Sequence, residues 1–318
     1  MPAPGTERAF IAAMLAPLAT TEAARGLADD AAVWTPPLGR DLVFTHDVLA
    51  CGVHYLPSDP PPDIAWKLLA VNLSDLAAMG AMPAGVLLGL GLSAAEDEAW
   101  RAGFVAGLAR AMAHFGVALW GGDTVTGLAA AVLGLTAVGQ VELGRALPRG
   151  GARVGDDVWV SGTIGDAGLG LAIARGDAGP DKFLLNRFRR PEPRLALGCA
   201  LAGTATAAID VSDGLLIDAD RIARASGAAL QIDLARVPTS AAAAARMAGG
   251  TAAQLARATA GDDYELLFTA PPGAGVAALA EPTRTPLTRI GSVVAGAGVC
   301  AIGHDGDDVT PARLGWEH

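Results

Sequence analysis

The chain has 318 residues, is 52% hydrophobic and 18% charged, and carries a formal charge of −10. That length permits two domains and that composition supplies buried cores. The acidic balance argues against a nucleic-acid partner, because phosphate backbones are held by cationic surface. Almost all positive charge is arginine; the lysines are Lys67 and Lys182, and no G-x-x-x-x-G-K-[ST] sequence occurs, which excludes a P-loop. Cys51, Cys199 and Cys300 are far apart, odd in number and free of any C-x-x-C spacing, which suits a reducing cytoplasm. The start, MPAPGTERAF, lacks a basic region followed by an apolar one, so no signal peptide is expected. The longest apolar run, AGVLLGLGLSAA from Ala84, is too short to span a bilayer. The chain therefore reads as soluble and cytoplasmic, with no membrane partner.

In chain order, helical periodicity is expected near 6–18, 63–79, 96–115, 214–226 and 251–259. Strand-like runs are LVFTH (42–46), GVLLGLGL (85–92), VALW (117–120), AVLGLTAVGQV (131–141), DVWVSG (157–162), AAIDVSD (207–213) and YELLFTA (264–270). Their loose alternation with helices predicts a mixed α/β fold. The Gly, Pro and Arg cluster LGRALPRGGARVGDD follows a long strand and places a domain boundary near 143–150, giving domains 1–145 and 146–318. No repeat of fixed period is found. The polar tail, GHDGDDVTPARLGWEH, holds a late Trp316; an end of this kind commonly frays.

The aspartates stand in unusual places. Asp29 and Asp30 precede AAVW, Asp47 follows LVFTH, and Asp75 lies in the apolar helix segment NLSDLAAMGA. Asp123 follows a strand and two glycines in LWGGDT, Asp210 and Asp213 lie in AIDVSDGL, and Asp262 and Asp263 precede YELLF. Each has an ordinary alternative: Asp213 as a helix cap, Asp123 as a turn residue. Asp75 has no such easy explanation, since a lone carboxylate is costly to bury. If these groups converge, each like pair at 4 Å repels by roughly 4 kcal/mol at an effective dielectric near 20. Hard divalent cations would relieve that repulsion, and Mg²⁺ in turn implies substrate phosphate. The residues thus point to a metal-dependent phosphoryl-transfer site. Other chemistries are poorly supported: no H-E-x-x-H and no G-x-S-x-G occurs. SGTIGDAGLGL (161–171) has the glycines of a phosphate loop, but a strand-to-helix turn is the plainer reading.

The set DDAAV (29–33), THDVLACGVHY (45–55), WKLLAVNLSDLAAMGA (66–81), GGDT (121–124), SGTIGDAGLGL, AIDVSDGL (208–215) and GDDYELLF (261–268) resembles the thiamine-monophosphate kinase family. That family belongs with aminoimidazole ribonucleotide synthetase and selenophosphate synthetase, and the match runs in order from Asp29 to Trp316. The resemblance implies two α/β domains, N-terminal sheets paired in a homodimer, and ATP with its metals in a cleft between domains. It implies transfer of phosphate from ATP to thiamine monophosphate, giving thiamine diphosphate. Carried over by motif, Asp30, Thr45, His46, Asp47, Asp75, Asp123, Asp210 and Asp213 fall on Mg²⁺ positions. Gly122, Asp123, Arg149 and Ser212 fall on ATP positions. His54, Asp262 and Trp316 fall on thiamine-phosphate positions. Asp75, Asp123, Asp210 and Arg149 are the expected catalytic set. Trp316 would stack on the cationic thiazolium and His54 would donate to the acceptor phosphate, although His54 alone would pass for a loop residue.

Two departures stand out. The family usually has a hydroxyl residue where this chain has His46, and imidazole is a poor Mg²⁺ ligand. It usually has Glu where this chain has Asp262, one methylene shorter. The rivals are a sibling ATP-using enzyme, such as aminoimidazole ribonucleotide synthetase, and a non-catalytic nucleotide-binding scaffold. Selenophosphate synthetase needs a reactive Cys near its N-terminus, and none precedes Cys51. Aminoimidazole ribonucleotide synthetase leaves GDDYEL and Trp316 unexplained. A scaffold would have lost the carboxylates.

Overall fold

A computed structural model describes residues 7–246 and 249–317. The helices are α1 (Glu7–Phe10), α2 (Pro61–Ala78), α3 (Glu98–Phe115), α4 (Asp166–Arg175), α5 (Lys182–Arg189), α6 (Leu195–Leu201), α7 (Leu215–Ser226), α8 (Ala241–Ala244), α9 (Thr251–Ala258) and α10 (Ala280–Thr283). The strands are β1 (Arg40–Ala50), β2 (Met82–Ser93), β3 (Leu119–Leu128), β4 (Val132–Glu142), β5 (Asp157–Ser161), β6 (Ala207–Asp210), β7 (Ala229–Asp233), β8 (Leu266–Ala270), β9 (Leu287–Val294) and β10 (Gly298–Ile302). The mixed α/β class expected from the sequence is what the chain adopts. It forms two compact units, Met1–Leu76 with Met82–Leu143, and Ala77–Ala81 with Gly144–His318.

The first unit holds a sheet ordered β1-β4-β2-β3. Its antiparallel pairs are β1 with β4 and β4 with β2. The β2 and β3 strands are parallel, so a crossover must join them, and α3 supplies it. Asp97 caps α3 by accepting from Trp100 N–H, and Gly116 ends it in the left-handed region at φ 68°. The α2 helix packs on one sheet face: Leu76 lies where a Cβ on Gly139 would touch it, and Asn72 accepts from the amide of Asp47 at 2.9 Å.

Alternation then fixes what each face carries. Val43, Leu49, Leu88, Leu90, Leu92, Leu133 and Leu135 are buried on the helix side. The opposite face presents Phe44, Val48, Met82, Leu87, Val125 and Val132, all exposed.

The second unit holds a six-stranded sheet ordered β10-β7-β9-β5-β8-β6. The β10–β7 pair is parallel and the other pairs are antiparallel. Both faces are covered, which explains why β8 reads LLFTA without polar alternation. Leu267 joins one core with Val158, Val160, Ile209 and Leu216. Its neighbours Leu266 and Phe268 join the other, with Leu197 and Leu201 of α6.

One sequence expectation changes and another holds. VALW is only the lead-in to β3, which continues through GGDT, so Asp123 lies within a strand rather than after one. Gly122 permits this: a Cβ there would sit 1.9 Å from the carbonyl of Leu88 on β2. SGTIGDAGLGL turns from β5 into α4, and its glycines serve packing. A Cβ on Gly162 would meet the Glu265 carboxylate at 2.0 Å, and one on Gly170 the Leu184 carbonyl at 2.2 Å.

Candidate active site

In the first unit, Thr45 and Asp47 project from β1 toward α2. Asp75, half-buried on α2, accepts a hydrogen bond from the Thr45 hydroxyl. The Asp47 amide is held by Asn72, whose own amide donates to the Leu68 carbonyl at 2.9 Å. One turn of α2, Asn72 and Asp75, thus sets the edge that β1 presents. This answers the oddity of Asp75 in the sequence. Its carboxylate is paired and only partly withdrawn from water.

The register separates the remaining predicted ligands. His46 lies on the opposite face of β1, its Nδ1 2.9 Å from Thr136 Oγ1 and its ring above Gly134. Its imidazole therefore does not join Thr45, Asp47 and Asp75, because adjacent strand residues point to opposite faces. Asp123 pairs with Gly89 and also faces away from α2. It stands on the edge strand opposite β1, roughly 14 Å from Asp47 along the sheet at three strand spacings. Asp30 is exposed, and Arg25 pairs with its neighbour Asp29. His54 accepts from the Ala50 amide through Nδ1 at 3.1 Å, which assigns the proton to Nε2, and Lys67 donates to its carbonyl at 3.0 Å.

In the second unit, Asp210 ends β6 and is 6% exposed. Beyond it the chain passes Ser212 and Asp213 into α7. The Ser212 carbonyl accepts from the Asp262 amide at 2.7 Å, and the Asp213 carbonyl accepts from the Trp316 amide at 2.8 Å. Consecutive carbonyls therefore gather Ser212, Asp213, Asp262 and Trp316, which the sequence scatters. Gly315 makes the approach possible, since a Cβ there would lie 2.5 Å from the Asp213 carbonyl. The tail up to Glu317 is thus tied down and is not the frayed end that its composition suggests. The Asp213 carboxylate pairs with Arg221 at 2.7 Å. Asp218 accepts from the Ser212 and Asp213 amides and from Arg221; burial pushes its carboxyl up to about 6. Trp316 is half exposed, with the Arg313 guanidinium 5.6 Å from its ring centroid. Arg149 is exposed on a bend after Pro148.

Sequence reasoning passed over Asp166 and Glu265 and noted Asp263 only as an oddly placed aspartate; all three are fully buried. Asp263 accepts from the amides of Gly165 and Ala167, so the first turn of α4 is already occupied by a carboxylate. This disposes of the glycine-rich segment as a phosphate cradle through those amides. Asp263 was visible in GDDYEL, but nothing in the string separates the buried aspartate from Asp262 beside it.

Among the described residues, no group of three or more His, Cys, Asp or Glu side chains is close enough to hold a metal ion. Mg²⁺ needs no such cage, because it keeps several waters and is bound by one or two carboxylates plus substrate phosphate. Thr45, Asp47 and Asp75 in the first unit, and separately Asp210 in the second, are hard oxygen donors of the kind that mode uses.

The chain matches the models for AIR synthase related protein, N-terminal domain, over residues 28–141, and AIR synthase related protein, C-terminal domain, over 153–303. It is 43% identical to the thiamine-monophosphate kinase of Caulobacter vibrioides, over 99% of this chain and 92% of that one. The chain belongs to the thiamine-monophosphate kinase family. The enzyme of that name from Escherichia coli K12 is 42% identical over 92% of this chain and 91% of its own. Among solved structures, the thiamine-monophosphate kinase of Stenotrophomonas maltophilia K279a superposes with a TM-score of 0.81 at 42% identity, covering 89% of this chain and 91% of that one. A structure described as "AaThiL complexed with AMPPCP and TMP" has a TM-score of 0.78 at 33% identity, covering 91% of each chain. The hydrogenase maturation protein HypE in complex with ATP shares the fold at a TM-score of 0.80 and 20% identity, covering 99% of this chain and 96% of that one.

Proposed function

We infer that the chain is a thiamine-phosphate kinase, transferring the γ-phosphoryl group of ATP to thiamine monophosphate to give ADP and thiamine diphosphate. Membership of the family supports the activity. The observation that carries the site is the gathering of Ser212, Asp213, Asp262 and Trp316 on two consecutive carbonyls.

The chemistry suits the residues. The attacking group is a phosphate oxygen, already anionic near neutral pH, so no general base is required. Catalysis then reduces to in-line positioning and neutralisation of charge. The Trp316 ring already accepts a cation on one face, from Arg313, and the thiazolium is a cation of comparable kind. His54, whose Nδ1 accepts from the Ala50 amide, is assigned to donate to the acceptor phosphate. Gly122, Asp123, Arg149 and Ser212 are assigned to ATP.

Several Mg²⁺ ions would supply neutralisation of the phosphate charge when bound; Asp30, Thr45, Asp47, Asp75 and Asp123 of the first unit, and Asp210 and Asp213 of the second, are the residues assigned as their ligands. The side chain of His46 is left out, because imidazole is a poor Mg²⁺ ligand and its Nδ1 already lies 2.9 Å from Thr136 Oγ1. Asp213 would exchange its Arg221 partner for the ion.

The working form is assigned as a homodimer. Phe44, Val48, Met82, Leu87, Val125 and Val132 make the uncovered face of the first sheet apolar, and exposed apolar patches of this kind mark association surfaces. Asp123 lies on that same face. A cytoplasmic location is assigned from the three free thiols. No helix among the described residues is long and apolar enough to cross a membrane.

The test is ADP release by the purified protein with Mg²⁺ and ATP. Release that requires thiamine monophosphate and is not supported by thiamine upholds the assignment. Release indifferent to either compound, or none from a folded protein, removes it.

A further inference from the structure

Asp262 and Tyr264 both have left-handed backbones, at φ 70° and 50°, and neither is glycine. Such conformations persist only where the surroundings over-determine them. Here the surroundings are a buried ionic network. Between the two strained residues, Asp263 turns inward and caps α4 through Gly165 at 2.6 Å and Ala167 at 3.2 Å. Its carbonyl accepts from Arg187 at 3.1 Å. The same Arg187 nitrogen donates to Glu265 Oε1 at 2.9 Å. Arg194 grips Glu265 with two bonds, at 2.7 and 2.5 Å, and the Ser161 hydroxyl donates to it at 2.5 Å. Three backbone bonds tie the segment down on its other side: Asp262 to Ser212, Tyr264 to Val211, and Val211 to Glu265.

A buried ion network of this kind is a poor way to gain stability, since well-packed apolar groups of similar volume do as well. What a densely paired network does provide is one geometry; here Arg187 Nε makes no hydrogen bond and has only the Asp166 carboxylate 3.7 Å away. The residue whose geometry it fixes is Asp262, which lies in the strained turn with the Tyr264 hydroxyl 3.3 Å from its Oδ1.

We propose that Asp263, Glu265 and Arg187 are positioning residues for the acceptor: they hold the Asp262–Tyr264 turn in its left-handed form and so set the place at which Asp262 meets thiamine monophosphate. This rests on the reading of Asp262 as an acceptor contact. It also gives a role to the shortened side chain. With Asp where the family usually has Glu, the reach of residue 262 depends on the position of its backbone, which the network sets.

The experiment compares Asp263→Asn, Arg187→Lys and Asp262→Ala in steady-state kinetics, with KM measured separately for thiamine monophosphate and for ATP, and with Tm for each. Asp263→Asn and Arg187→Lys are expected to raise KM for thiamine monophosphate by about fivefold or more while KM for ATP stays within about twofold. A lowered Tm with both KM values unchanged makes the network merely structural and overturns the proposal, as does an equal rise in both. Should Asp263→Asn not fold, Arg187→Lys decides, because it keeps the charge and loses only the fork geometry. Asp262→Ala separates the two levels. If it leaves KM for thiamine monophosphate unchanged, the reading of Asp262 fails; if it raises that KM while the network variants do not, only the positioning role fails.

Discussion

Trp316 donates its backbone N–H to the carbonyl of Asp213 at 2.8 Å, fastening the end of the chain to the start of α7. A tryptophan that would otherwise be solvated is thereby held where a cation is already stacked on it. Trp316→Ala is expected to raise KM for thiamine monophosphate by about 2- to 30-fold, the equivalent of a cation–π contact of about 0.5–2 kcal/mol. KM for ATP is expected to hold. Initial rates with each substrate varied in turn check this, and an equal rise in both constants counts against the stacking role.

Asp75 is an acceptor for Thr45 on a helix that is otherwise closely packed. Asp75→Asn keeps the shape and one acceptor oxygen but removes the charge. Turnover is expected to fall by about a hundredfold or more, while Tm changes little because the group is only half-buried. Thermal melts beside kcat measurements decide it, and an active Asp75→Asn enzyme contradicts the assignment of this carboxylate.

The uncovered sheet face predicts association. Phe44, 64% exposed, and Val125, 50% exposed, have no packing role within the protomer that a charge would break. Phe44→Glu with Val125→Glu is expected to give a folded monomer by analytical ultracentrifugation. A dimer of undiminished stability would place the interface elsewhere.

Burial pushes the Asp263 carboxyl up to about 7, against the pull of Arg187 and the two amides it accepts from. The folded state thus holds this proton more tightly than the unfolded chain, where the group titrates near 4. Stability from this group is full below about pH 4 and is lost as pH rises through about 7. Glu265 works in the opposite sense: burial pulls its pKa up, but Arg194, Arg187 and Ser161 outweigh that and hold it below the usual range. Its contribution is present above the unfolded value and is lost in more acid solution. Urea unfolding at pH 5 and pH 8 should therefore show a decline that Asp263→Asn reduces. An unchanged decline in the variant would assign it to other groups.

Much of the fold was legible from periodicity. The helical stretch expected at 63–79 is α2 at Pro61–Ala78, and the one expected at 214–226 is α7 at Leu215–Ser226. Strands β7, β9 and β10 were not, because ALQID, LTRIGSVV and GVCAI are short and carry glycine or polar residues inside. Gly291 in β9 reads as a breaker yet is required, since a Cβ there would sit 1.9 Å from the Gln231 carbonyl. At the site, Asp75 was conspicuous because no other charge lies near it in the string, only the neutral Asn72 and Ser74. Which face each ligand occupies was not legible. His46 and Asp47 are neighbours in sequence, and only the strand's alternation sends them apart. The burial of Asp263 and Glu265 was hidden for another reason: their partners, Gly165, Arg187 and Arg194, are distant in the chain.

The most direct measurement follows the phosphate itself. ATP labelled with oxygen-18 in its γ-phosphoryl group is incubated with the protein, Mg²⁺ and thiamine monophosphate, and the product is fragmented in a mass spectrometer. Direct transfer predicts thiamine diphosphate with the label confined to its terminal phosphate, and no phosphorylated product from thiamine. Unlabelled diphosphate, or labelled inorganic phosphate without diphosphate, would contradict transfer of the γ-phosphoryl group to this acceptor.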